Sequence, residues 1–324
     1  MMKKVEIFCT LGPSSLNKKF LRLAQTKGVD LVRLNMSHLS VTTLKKNIKF
    51  IKKYSKLKIC IDTEGAQIRT KTDKSKNLKK GQKISIYKNE KFHLYPNDVY
   101  EKLKKADELE VGFDGLILKI LKKNTSSFLA ECIRAGSLEK NKGVHLSNRN
   151  IKLNYLTHKD FKAIEVGKKF KIKNYALSFT NSINDVKKFS KLLPKENKIY
   201  KIETSQALRN FNSLKKVSNN FLIDRGDLSK EISIEKIPQA QRKIFKNKTL
   251  KNKIYIATNL LESMIEKPFP TRAEANDIYN AIEMGASGLV LAAETAIGNY
   301  PENCLDFLKK IIQQFKKKNN YIKY

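Results

Sequence analysis

No run in the 324-residue sequence approaches the ~18 consecutive apolar residues that a membrane-spanning helix requires, which excludes an integral helical membrane protein. The opening stretch, MMKKVEIFCTLGPSS, has two lysines but only a few apolar residues before Gly12 and Pro13, too few for a signal peptide, so we read the chain as cytoplasmic. Long Pro, Gly or Ser tracts are missing as well, which argues against disorder and for a globular chain with one large core or two smaller ones. Cys9, Cys60, Cys132 and Cys304 form no Cys-x-x-Cys pair, and His38, His93, His145 and His158 show no zinc-site spacing. Free thiols and ordinary histidines are expected.

Acidic residues are the other shortage, 31 Asp and Glu against 66 Lys and Arg, for a formal charge of +35. A basic surface attracts phosphate whatever its sequence. The lysines, however, are spread along the whole chain, without an Arg-rich block and without the interleaved aromatics of a base-stacking platform. We therefore expect a solvated, lysine-biased surface and no nucleic-acid partner. A nucleic-acid role is supported by charge alone, and salt-dependent binding would separate it.

What the sequence does contain is a regular alternation. Eight short β-rich runs, KVEIFCT (4–10), VDLVRLNM (29–36), LKICIDT (57–63), NYALSF (174–179), NKIYKIE (197–203), NFLIDR (220–225), KIYIAT (253–258) and SGLVLAA (287–293), predict strands. Stretches with apolar residues three and four apart separate most of them, as in 182–193, 205–217, 271–285 and 302–315. Strand then helix, eight times over, predicts an α/β fold of the (β/α)₈ TIM barrel type. About a hundred residues part the third strand from the fourth, far more than such a connection usually takes. KISIYK (83–88), GLILKIL (115–121) and SSFLAECI (126–133) carry hairpin signals there. A small inserted all-β domain is expected over 70–145, with the barrel over 1–69 and 146–324.

In such a barrel the carboxyl ends of all strands face one side. That grouping collects Arg33, Asn35, Ser37, Asp62, Thr63, Arg69, Lys201, Glu203, Asp224, Arg225, Asp227, Thr258 and Glu294. Taken singly, each has an ordinary structural reading: Asp227 before LSKEI could cap a helix, and Arg33 or Arg69 could close salt bridges. As a set, carboxylates converging with Lys and Arg point to a hard divalent cation beside an anion site.

The motifs CTLGPSS (9–15), VRLNMSH (32–38), DTEGAQIRT (62–70), KIET (201–204), DRGDL (224–228), ATNLLESMIEKPFPTRAE (257–274) and AAETAIGNYP (292–301) stand in the order of the pyruvate kinase family, which the chain resembles from residue 3 to about 315. FDG (113–115) and GSLEKNKGVHL (136–146) resemble that family's lid domain. The resemblance implies phosphoryl transfer from phosphoenolpyruvate to ADP, giving pyruvate and ATP. It assigns Lys201, Thr258 and Arg33 to catalysis, and Glu203 and Asp227 to Mg²⁺ or Mn²⁺. Asn35, Ser37, Asp62 and Thr63 match the ligands of a monovalent cation, K⁺. Gly226, Asp227, Arg69 and Thr258 would bind phosphoenolpyruvate or pyruvate; Pro13, Arg33, His38, Arg69 and Lys142 would bind ADP or ATP.

The sequence also departs from the family pattern. Glu64 stands where the family has Lys, Ala66 where it has Pro, and Gln67 where it has a charged residue, which leaves the need for K⁺ open. Asp224 replaces a small apolar residue, and Ala292 and Ala293 replace Ser and Gly. Near a substrate anion, Asp224 would cost about 4 kcal/mol at 4 Å and an effective dielectric of 20. After Phe315 the sequence gives only KKKNNYIKY, from which we expect a short form without the family's carboxyl-terminal domain or its sugar-phosphate allostery. Any homo-oligomer would then use barrel surfaces. The alternative reading is a divergent barrel that uses the metal-bound phosphoenolpyruvate or pyruvate pocket for another reaction, or only for binding.

Overall fold

A chain that alternates buried strands with amphipathic helices must cover both faces of its sheet, and here it does so by closure. The computed structural model describes residues 4–112, 115–149 and 151–317. Eight parallel strands form a closed barrel: β1 (Glu6–Thr10), β2 (Leu31–Asn35), β3 (Ile59–Asp62), β4 (Asn174–Leu177), β5 (Asn197–Ile202), β6 (Asn220–Asp224), β7 (Lys253–Ala257) and β8 (Gly288–Leu291). Each strand pairs with its successor, and β8 returns to β1 through the register Phe8↔Val290. All eight sequence-predicted strands are present, each a residue or more shorter than its run.

The helices follow their sequence signals. Ser205–Val217 buries Ala207, Phe211 and Leu214, one face of a 3.6-residue period, and the Thr204 side chain caps it by accepting from the Ala207 amide at 3.0 Å. Capping boxes open Ile183–Leu192 (Ser182 with Asp185) and Arg272–Glu283 (Thr271 with Glu274).

Side chains of a strand alternate between faces, so the residues filling the barrel sit two apart. Phe8, Leu31, Cys60, Ala176, Ile199, Leu222, Tyr255 and Val290, one from each strand, pack together as an interior layer. The four cysteines are free and buried.

Residues 66–157 form a second compact unit with its own core, around Ile86, Leu109, Leu118, Phe128 and Cys132. Seven strands close it into a small barrel, among them the hairpin Leu116–Lys123 with Ser127–Arg134, and a short pair, Lys76–Leu78 with Gly136–Leu138, stands beside it. A single helical turn, Val99–Lys102, interrupts the β structure. This unit is wider than the expected 70–145. Ile68–Lys71 pairs with Gly143–Leu146 and with His93–Tyr95, and Leu146 joins the small core, so these segments belong to the insert and the barrel resumes at His158. Phe113 and Asp114 of the FDG motif lie outside the described residues, as do the last seven residues of the chain.

Candidate functional site

Two residues beyond the interior layer, on the same inward face, β2, β3, β5 and β6 present Arg33, Asp62, Lys201 and Asp224, and Ser178 follows directly on the end of β4. Strand alternation therefore replaces an apolar layer with a charged one at the carboxyl ends. Lys201 lies at its centre and is 3 % exposed. Its Nζ is 2.7 Å from Glu203 Oε1, 3.2 Å from Asp224 Oδ2 and 3.4 Å from Asp62 Oδ2, and it donates to Ser178 Oγ at 3.2 Å. Burial alone would lower the Lys201 pKa, but Asp62, Glu203 and Asp224 outweigh it and raise it, so the ammonium stays charged.

Arg33 is placed the same way. Its Nε is 2.7 Å from Asp62 Oδ2, and although burial opposes its charge, Asp62, Asp224 and Glu203 hold it protonated. Its Nη1 is buried with no hydrogen-bond partner. Such a donor is costly to leave unmet, and it suits an anionic oxygen.

Glu203, Asp224 and Asp227 each offer a carboxylate oxygen within 4.8 Å of the others, the one such acidic or His/Cys group among the described residues. An oxygen-only set of carboxylates fits Mg²⁺ or Mn²⁺. Glu203 is fully buried and accepts from the Phe179 amide at 2.5 Å. Burial, with Asp224 and Asp227 adding and Lys201 opposing, pushes its pKa up to about 8. Asp227 is also ion-paired with Lys230.

That shift gives a pH prediction with a definite sign. The folded chain holds the Glu203 proton more tightly than the unfolded chain does, so without metal its stability falls as pH rises from the ordinary carboxylate range toward about 8, and levels off above. Urea unfolding in EDTA between about pH 5 and about pH 9 should show the wild type losing ground against Glu203→Gln over that window. A difference that is flat across it would refute the raised pKa.

The other sequence-predicted residues divide between the two units. Asn35 and Asp62 are register partners on β2 and β3; Asn35 Oδ1 accepts the Ser37 amide at 3.0 Å, and Thr63 Oγ1 accepts the Ser178 amide at 3.0 Å. Pro13 and His38 are exposed in the loops after β1 and β2. Arg69, expected in the barrel, sits in the small unit opposite Gly143 and donates to Asn141 O at 3.2 Å. Lys142 lies beside it, ion-paired with Glu139. Glu294 lies just beyond β8, 2 % exposed, and closes its own turn by accepting the Ala292 amide at 2.9 Å.

Thr258 Oγ1 accepts the Gly226 amide at 2.7 Å and reaches Asp224 Oδ1 at 3.2 Å. Its backbone is left-handed (φ 67°), as is that of Asn259 (φ 53°), an outlying state for a β-branched residue. Arg225 holds this turn: its Nε and Nη2 donate to Thr258 O at 3.1 and 2.7 Å, Nη2 reaches Asn259 O at 3.0 Å, and Nη1 pairs with Asp277 at 2.6 Å.

Sequence reasoning missed Ser178, Asp160 and Lys159. Ser178 was legible in principle, two residues after inward-facing Ala176. Asp160, on the first turn of His158–Lys169, accepts the Glu64 amide at 2.8 Å and the Gly65 amide at 3.1 Å. Gly65 needs that support: its φ is 68°, and a Cβ there would lie 2.8 Å from Ser178 Cβ. Lys159 pairs with buried Glu64, so the departure at 64 carries its own counter-charge. No local pattern announces either contact.

A closed parallel barrel with an ammonium, a guanidinium and oxygen ligands gathered at its strand ends defines a class, the TIM-barrel enzymes that handle anionic substrates with a hard cation. Residues 2–305 match the family model "Pyruvate kinase, barrel domain". The chain is 31% identical to a pyruvate kinase of Thermotoga maritima over 99% of its own length and 73% of the relative's. It is 34% identical to one of Methanocaldococcus jannaschii (96% and 69%), and 33% identical to one of Staphylococcus saprophyticus, of which it spans 56%. This chain belongs to the pyruvate kinase family, a family of phosphotransferases. Among the described residues, no helix is long and apolar enough to cross a membrane.

Proposed function

We propose that this chain transfers the phosphoryl group of phosphoenolpyruvate to ADP. The bond from phosphorus to the enol oxygen breaks, a bond to an ADP terminal phosphate oxygen forms, and the enolate left behind takes a proton at its methylene carbon to give pyruvate. The observation that carries this reading is the buried pair of cations at the strand ends: Lys201 held charged among three carboxylates, and Arg33 with Nη1 still to be met.

Phosphoryl transfer needs positioning and charge stabilisation more than covalent help. Lys201 stabilises the phosphoryl group in flight, and Arg33 binds one of its oxygens. Glu203 and Asp227 would hold Mg²⁺ or Mn²⁺, which screens the gathered negative charge when bound. Gly226 and Asp227, in the turn after β6, would bind the substrate carboxylate, with the Asp227 amide as the donor since the Gly226 amide is given to Thr258 Oγ1, and Thr258 serves the protonation of the enolate. Asn35, Ser37, Asp62 and Thr63 would take K⁺. By their match to the family motifs, Pro13, His38, Arg69 and Lys142 would be ADP-binding residues. The substrates are soluble phosphates, and we assign the reaction to the cytoplasm.

The test is direct. The purified chain with phosphoenolpyruvate, ADP, Mg²⁺ and K⁺ should yield ATP and pyruvate in equal amounts, and omitting Mg²⁺ should abolish both. Mg²⁺-dependent phosphoenolpyruvate binding by calorimetry with no ATP would instead favour a barrel that has kept the pocket for another reaction.

A further inference from the structure

Asp224 occupies a place where a carboxylate looks like a liability, yet the geometry gives each of its oxygens a partner. It closes β6 two residues after Leu222 of the interior layer, so alternation turns it inward, and it is 3 % exposed. Oδ2 is 3.2 Å from Lys201 Nζ, and Oδ1 is 3.2 Å from Thr258 Oγ1.

The Thr258 hydroxyl has one proton and receives the Gly226 amide on a lone pair. Two acceptors compete for that proton, Asp224 Oδ1 and the carbonyl of Ala257 at 2.5 Å. Asp224 is ionic and therefore the stronger acceptor. The turn that follows β8 begins with Ala292 and Ala293, which have no side-chain hydroxyl to offer.

We propose that Asp224 is a positioning residue for the reaction, one oxygen fixing the Lys201 ammonium and the other orienting the Thr258 hydroxyl, so that the phosphoryl-transfer and enolate-protonation groups share one frame. This rests on the function proposed above. It predicts a split between variants. Asp224→Asn has a single oxygen, which the donor-only Lys201 ammonium claims, so its NH₂ faces the Thr258 hydroxyl and cannot accept its proton, whereas Asp224→Ala loses both contacts.

The experiment follows two steps separately in the Mg²⁺-loaded full chain. Proton NMR in D₂O reads deuterium entry into the pyruvate methyl group, the protonation step run backwards, and an ATP assay gives kcat and KM for phosphoenolpyruvate. Asp224→Ala should slow methyl exchange about tenfold or more, the scale of one hydrogen bond to a charged group, with KM little changed. Asp224→Asn should slow exchange to about the same extent but lose less of kcat for ATP formation, because its oxygen still holds Lys201. In methyl exchange, adding Asp224→Ala to Thr258→Ala should cost little beyond Thr258→Ala alone, because both act there on one hydroxyl.

Exchange at the wild-type rate in Asp224→Ala would overturn the inference, as would losses that simply multiply in the double variant. So would loss of Mn²⁺ binding, read by electron paramagnetic resonance on substrate-free Asp224→Ala, since Asp224 would then be a metal ligand. A wild type that forms no ATP would instead remove the functional reading on which the inference stands.

Discussion

Lys201→Ala should lower the rate of ATP formation by about three orders of magnitude or more, the scale of removing the cation that meets a transferring phosphoryl group. The same substitution should disturb folding. Asp62, Glu203 and Asp224 all lie within 3.4 Å of the Lys201 ammonium, and without it three buried carboxylates face one another with Arg33 as their remaining inward cation. Removing one partner of a buried ionic cluster costs about 3–5 kcal/mol. In metal-free buffer the variant should therefore unfold at lower urea concentration, and Mg²⁺ should recover much of that loss by binding the carboxylates that Lys201 no longer neutralises. Activity should not return with it, because a cation at the carboxylates does not replace an ammonium aimed at phosphate. A Lys201→Ala chain that keeps ATP formation within about tenfold of wild type would exclude the role assigned to this residue.

Arg225→Met should be the most damaging change made outside the substrate contacts. Thr258 and Asn259 both sit at positive φ, a state worth about 1–3 kcal/mol of strain per residue, and it persists only where surrounding contacts over-determine it. Arg225 supplies those contacts, with three hydrogen bonds to the two carbonyl groups and an ion pair to Asp277. Methionine fills similar volume but leaves both carbonyls unmet, at about 1–3 kcal/mol each. A loss of about 3 kcal/mol or more is expected in urea unfolding. Catalysis should suffer too, since a relaxed turn moves the Thr258 hydroxyl away from Gly226 and Asp224. An unchanged unfolding midpoint would show that the turn is held by something else.

The barrel was readable in the sequence because its two periodicities are strong: apolar strand runs long enough to be buried on both faces, and helical stripes with capping residues at their starts. The edges of the insert were not. Ile68–Lys71 reads as a continuation of the DTEGAQIRT motif, and its departure from the barrel is decided by pairing with segments about twenty-five and seventy-five residues away, which no local signal encodes. The site was partly legible. Family motifs located Lys201, Glu203, Asp227 and Thr258, but the meaning of Asp224 depended on which face of β6 it occupied, and that follows only once Leu222 is known to join the interior layer. Asp160 and Lys159 could not have been found, because their partners lie more than ninety positions earlier in the chain.

The charged layer is carried by every second residue of the strands, and this ties it to a reading frame. One residue inserted within Asn220–Asp224 would turn Asp224 toward the surrounding helices and offer an apolar side chain to the pocket in its place. A residue inserted between a helix and the next strand would leave that frame intact. Length variation in this chain should therefore be tolerated in its connections and lethal within its strands, so that a scan of single-residue insertions would trace the barrel wall without any substitution at the site itself.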